Sequence, residues 1–152
     1  MIFILISVIV PLVIALGLPR ALRSFGYDEQ AHRPWLYAAC LLFFIAYYLP
    51  SPLIEGRDTQ FVTHVVGGGF FTGMVWIYFT RSIGWKPHIV IEAASLFMLV
   101  SALGCLNELA ELAIRTFGLA DMPLDDTNWD ILANTLGSAV LFGAYELYRR
   151  YR

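Results

Sequence analysis

Five stretches of this chain, approximately 2–18, 34–50, 60–80, 88–114 and 130–148, are long, apolar and nearly free of charge. A helix that crosses a bilayer needs roughly 17–25 predominantly apolar residues, because the hydrocarbon core is about 30 Å thick. Within that core each segment must satisfy its own backbone N–H and C=O groups, and an apolar segment does so by forming a helix. The predicted fold is therefore all-α: an integral membrane bundle of five transmembrane helices, with residues 1–152 as one domain. Composition agrees, with 59% hydrophobic and 14% charged residues, where soluble domains carry roughly 25% charged residues. No Ser/Pro-rich linker, low-complexity run or internal repeat divides the chain.

The distribution of cations predicts an orientation. Arg20, Arg23 and Arg33 lie between segments one and two, Arg81 and Lys86 between three and four, and Arg149, Arg150 and Arg152 at the end, leaving only Arg57 and Arg115 for the opposite side. The positive-inside rule then places the protein in the cell membrane as a multi-pass chain, N-terminus outside and C-terminus cytoplasmic. No cationic region precedes the first segment and the arginines follow it, so a retained first helix is expected rather than a signal peptide. Trp35, Tyr47, Tyr48, Trp85, Trp129, Tyr145 and Tyr148 fall at segment ends, as interfacial aromatic belts do. A net charge of -2 offers no basic field for nucleic acid. Cys40 and Cys105 stand singly in apolar segments and read as small apolar fillers.

With that orientation, three segments carry polar groups near their outer ends. His64 lies one turn into segment three, behind Arg57 and Asp58; Asn107, Glu108 and Glu111 occupy the last turns of segment four; Asp126 precedes segment five, and Asp130 and Asn134 lie in its first turns. At 1.5 Å per residue, His64, Glu108 and Asn134 sit on the order of 5–10 Å below the boundary. Carboxylates and amides at that depth are costly and mark function unless they are structural. Spacings of three and four put Glu108 with Glu111, Asn107 with Glu111, and Asp130 with Asn134 on shared helix faces. Gly67, Gly68 and Gly137 follow these polar positions, and Gly69-x-x-x-Gly73 and Ala133-x-x-x-Gly137 are small-residue patterns that permit close helix approach. The expected product is a small polar pocket near the outer face.

Each residue also has a plainer role. Asp125, Asp126 or Thr127 can cap the fifth helix, with Thr127-x-x-Asp130 in capping-box form. Glu111 can pair with Arg115, and His64 can be a hydrogen-bonded packing residue. Glu92 and Glu146 read as solvated or paired with nearby arginines, and His32 and His88 as loop residues.

The run Asp126-Thr127-Asn128-Trp129-Asp130-Ile131-Leu132-Ala133-Asn134-Thr135-Leu136-Gly137, with Gly143 six residues on, resembles the closing motif of VanZ-like membrane proteins. Glu108, Glu111 and Arg115 are similar to that family's Glu-x-x-Gln and later Arg, and the Asn-Glu-x-x-Glu form is closer to its YjdF-type relatives. His64 after Asp58 resembles the family's Asp-Lys-x-x-His, although no Lys follows Asp58 and the spacing is longer. The resemblance spans roughly residues 58–143. It implies a small multi-helix envelope protein; one member is linked to glycopeptide resistance, and no reaction is common to all.

No P-loop, dinucleotide fingerprint, His-Glu-x-x-His or Gly-x-Ser-x-Gly is present. The leading expectation is a site that binds or hydrolyses a lipid or cell-envelope head group. Glu108, His64 and Asp130 are its catalytic candidates, and Asn134, Glu111, Asp126, Asn107 and Arg57 its substrate-binding candidates. Glu108 leads as acid/base or ligand, and the oxygen-rich set suits a divalent cation. The alternatives are a proton-coupled transporter and an accessory subunit of a homo-oligomer or larger membrane complex. Membrane lipids are the expected partners in every case.

Overall fold

A computed structural model of the chain describes residues 2–54, 56–119 and 126–151, with side chains described for all of these but 2–6 and 57. It is all-α apart from a two-residue strand pair. Five long helices are described: α1 (Ile2–Ser24), α2 (Arg33–Ala46), α3 (Phe61–Ser82), α4 (Ile89–Thr116) and α5 (Thr127–Tyr151). Among the described residues, three stretches are long and apolar enough to cross a bilayer: Ser7–Ser24, Phe61–Ser82 and Ile89–Thr116.

The boundaries follow local chemistry. α1 runs through Pro11 and Pro19 and continues past the expected end at residue 18, so Arg20 and Arg23 ride on its last turns instead of lying in a loop. α2 is shorter than the 34–50 expected. Pro34 sits in its first turn, where a missing N–H costs nothing. Pro50 and Pro52 disfavour helical backbone in the residues before them, and the helix ends at Ala46. Its 14 residues rise about 21 Å, less than the hydrocarbon thickness.

Sequence periodicity had not signalled the next feature, an antiparallel hairpin in which Leu53 pairs with Asp58 and Ile54 with Arg57. Gly56 takes a positive φ of 78° in its turn. Asp58 Oδ1 accepts from the Gln60 N–H at 3.0 Å, ordering the entry to α3.

Within α3, residues His64–Phe70 are π-helical. Such a wide turn inserts one extra residue and recurs at functional sites. Gly67, Gly68 and Gly69 all fall in it; α5 packs directly on Gly68 and Gly69, and Gly67 faces Ala46 of α2. A Cβ on Gly69 would stand 2.6 Å from the Asn134 carbonyl oxygen and 2.7 Å from the Gly137 Cα; one on Gly137 would strike the Val65 carbonyl oxygen. These are backbone-to-backbone contacts, as the small-residue spacing predicts.

The arginine-rich end of the bundle is tied by buried ion pairs. Glu29, fully buried, accepts from Arg33 Nε and Nη2 at 2.7 Å each, from Arg23 at 3.4 Å and from Tyr78 OH at 3.3 Å. The Arg33 guanidinium holds its carboxyl below the usual carboxylate range. Glu92 accepts from Arg81 at 2.5 Å and Arg149 at 3.4 Å, and Arg149 also pairs with Glu146 at 2.8 Å. Of the two roles open to Glu92 and Glu146, both take the paired one. Leu22, Leu36 and Tyr78 form the buried apolar centre of this half. Large apolar side chains such as Val13, Met98 and Val140 are exposed on the outside of α1, α4 and α5, as suits a surface against lipid.

Candidate functional site

At the opposite end, three helices bring their polar residues together. His64, in the first π-helical turn of α3, has its Nε2 3.3 Å from Asp130 Oδ1 in the first turn of α5. That separation is a charge contact without hydrogen-bond alignment, and Asp130 Oδ1 has no hydrogen-bond partner among the described residues. Phe61 and Trp129 meet edge to face at 6.4 Å and pin the same two turns together.

Asn134, one turn deeper on α5, packs where α3, α4 and α5 meet. A Cβ on Gly68 would fall on its Oδ1, and one on Gly104 would lie 3.6 Å from its Nδ2. Asn134 is 7% exposed, yet its Oδ1 is without a hydrogen-bond partner among the described residues. Gly68 and Gly104 are therefore required by the amide they admit, beyond general helix packing.

On α4 the two glutamates part company. Glu111 Oε1 accepts from Asn107 Nδ2 at 2.7 Å, as a four-residue spacing allows. Glu108 turns toward α5, where its Oε2 accepts from the Thr127 hydroxyl at 2.6 Å, while its buried Oε1 has no hydrogen-bond partner among the described residues. Thr127 opens α5 as its first helical residue. The Asp126 carbonyl accepts from the N–H groups of Trp129 and Asp130 at 2.7 and 3.1 Å, so Asp126 holds the N-cap position. Asp125 lies outside the described residues, as does the Arg57 side chain.

A cavity of about 320 Å³ opens between the five helices beside this cluster. Its polar lining includes His64, Asn107, Glu111 and Asn134; its apolar walls include Ile14, Phe43, Phe71 and Leu103. Of the residues expected to act together, His64, Glu111, Asn107 and Asn134 face this space. Glu108, Asp126 and Asp130 are not among its lining residues. Glu108 reaches α5 through Thr127, and Asp130 meets His64. Asp58, exposed, serves the turn before α3.

Spacing along one helix did not expose two contributors. Gly104, three residues before Asn107 and seven before Glu111, shares their face, and that register is the signal that finds it. Tyr47, which its position at a segment end marks as a belt residue, lines the cavity from the end of α2.

Chemically, His64 can take or give a proton at the cavity wall, with the Asp130 carboxyl 3.3 Å away to orient the imidazole. Among the described residues, no three His, Cys, Asp or Glu side chains gather at metal-ligating spacing. No family model, curated protein or solved structure matches the chain.

Proposed function

We propose that this chain is a VanZ-like integral membrane protein whose outer-side pocket binds the polar head group of a lipid or other cell-envelope amphiphile. In this reading all five helices lie in the bilayer, with the N-terminus outside and the C-terminus cytoplasmic. Three apolar helices support membrane residence, and the backbone contact of Gly69 with Gly137 keeps the more polar α5 alongside α3.

The observation that carries the functional reading is the two-sided cavity. One part offers His64, Glu111 and Asn134, and the rest is aliphatic or aromatic wall from α1 to α4. A ligand with a polar head and an apolar body matches both parts, and apolar pockets with a few convergent polar groups are where small molecules bind. Binding suits the lining better than acyl transfer, because no Ser or Cys is among the lining residues.

Native mass spectrometry of the protein released from nanodiscs tests this reading. The parent should retain an amphiphile through detergent exchange, and Gly104→Leu should lose it. A Cβ at Gly104 meets only the Asn134 amide at ordinary contact distance, so the added side chain fills the cavity with the helices left in place. Retention of the same species by the filled variant, or by neither protein, sinks the proposal.

A second reading draws on the Gly69–Gly137 contact: the polar layer locks helices in an accessory subunit of a larger membrane complex. It predicts no retained amphiphile and a stable partner protein in mild detergent extracts.

A further inference from the structure

We infer that the head group this cavity selects is an ammonium ion carried on an apolar chain. The inference rests on the head-group reading above and names its ligand class.

The sign of the charge comes from the lining. Among the described residues neither Lys nor Arg lines the cavity, whereas Glu111 lines it and Glu108 and Asp130 stand behind it. A phosphate or carboxylate would enter beside the Glu111 carboxyl, with the His64 imidazole as the one basic side chain among the described lining residues. A buried charge without a partner is heavily penalised, so an anion is disfavoured and a cation supplies what the cluster lacks.

The hydrogen-bond inventory points the same way. Asn134, more than nine-tenths buried and lining the cavity, has an amide oxygen with no well-aligned hydrogen bond among the described residues and the His64 ring beside it, so the site offers an acceptor to a further donor. An ammonium N–H meets that need, and a phosphate oxygen does not.

The wall is aromatic where the cation would lie. Phe43 packs against Tyr47 at 5.7 Å and against Phe71 at 4.8 Å between ring centroids, and all three line the cavity. Ring faces attract ammonium groups, and a set of them beside a carboxylate is how quaternary amines are recognised. The cavity is near the lower limit for ligand pockets, which accommodates a head group and the start of one chain rather than a whole diacyl lipid. Arg23, Arg33, Arg81 and Arg149 make their ion pairs at the other end of the bundle, and the Arg57 side chain lies outside the described residues.

The test is calorimetric titration of the full chain in a nonionic detergent with hexylammonium, hexyl phosphate, hexanol and magnesium chloride. Saturable binding of the ammonium alone is expected, weakened at least tenfold in Glu111→Gln. Tyr47→Leu should weaken it several-fold through loss of a ring, which gives a second reading should Glu111→Gln fold poorly. Hexyl phosphate or hexanol binding as tightly as the ammonium, or unchanged affinity in both variants, overturns the ammonium assignment and leaves the head-group reading standing. Magnesium binding that excludes the ammonium overturns it in favour of a metal site. If no amphiphile binds, both readings fall together. Nanodiscs then separate the sources: retained phosphatidylethanolamine identifies a lipid amine, and its absence beside hexylammonium binding identifies a free lipophilic amine. Either supports the assignment.

Discussion

Glu108 illustrates how one side chain divides between support and chemistry. Its Oε2 anchors the Thr127 hydroxyl across two helices, and its Oε1 is buried with no hydrogen-bond partner among the described residues. Glu108→Gln can keep an oxygen for Thr127, so we predict a melting temperature near the parent's. Glu108→Ala leaves the hydroxyl without its acceptor and should cost about 1–3 kcal/mol. Detergent melting of the two variants checks this, and equal losses in both would show that the charge, not the bond, matters. Glu29 gives the acid response at the other end. Its folded pKa is held below the usual 4.5 by Arg33, so its contribution is fully present above about that pH and is lost as pH falls through the lowered value. We predict an acid limb below pH 4.5 in the melting profile that flattens in Glu29→Gln; an unchanged limb would assign it to other carboxylates.

The pairing of α3 with α5 is the most exacting contact between helices. Gly137 faces the Val65 carbonyl oxygen and the Gly69 Cα, whereas nothing lies within 4 Å of a Cβ on Gly143. Gly137→Leu should therefore separate the helices and sharply lower folded yield, while Gly143→Leu on the same helix should behave like the parent. Size-exclusion profiles of the two decide it, and a well-folded Gly137→Leu would mean the helices can slide apart without loss. The same contact explains Gly68 and Gly69 in the π-helical turn, where a wider backbone with no side chains lets α5 close on it; Gly67 makes the matching room for Ala46 of α2.

The molecule as a whole is polarised, with carboxylates and the cavity at one end and arginine ion pairs at the other. If the arginine end is cytoplasmic, a cysteine placed after Arg152, in a background lacking Cys40 and Cys105, will resist impermeant maleimide in intact cells and react after lysis. Labelling without lysis would invert every depth assigned to the polar groups. The background change is needed because Cys105 is exposed.

Hydropathy alone was enough to reveal a five-helix, all-α chain, because a long uncharged run has few ways to satisfy its backbone. Spacing alone placed Asn107 with Glu111, since three- and four-residue intervals set neighbours within a helix regardless of what surrounds it. What depends on rotation between helices was not legible. Periodicity along α4 does not say which glutamate turns to α5, so Glu108 was the leading candidate although Glu111 is the one that lines the cavity. Tyr47 reaches the cavity because α2 stops short of its prolines, and Asn134 reaches it because Gly68 and Gly104 leave it room. Local pattern governs which residues share a helix face. Which faces meet depends on backbone approach distances that no single segment encodes.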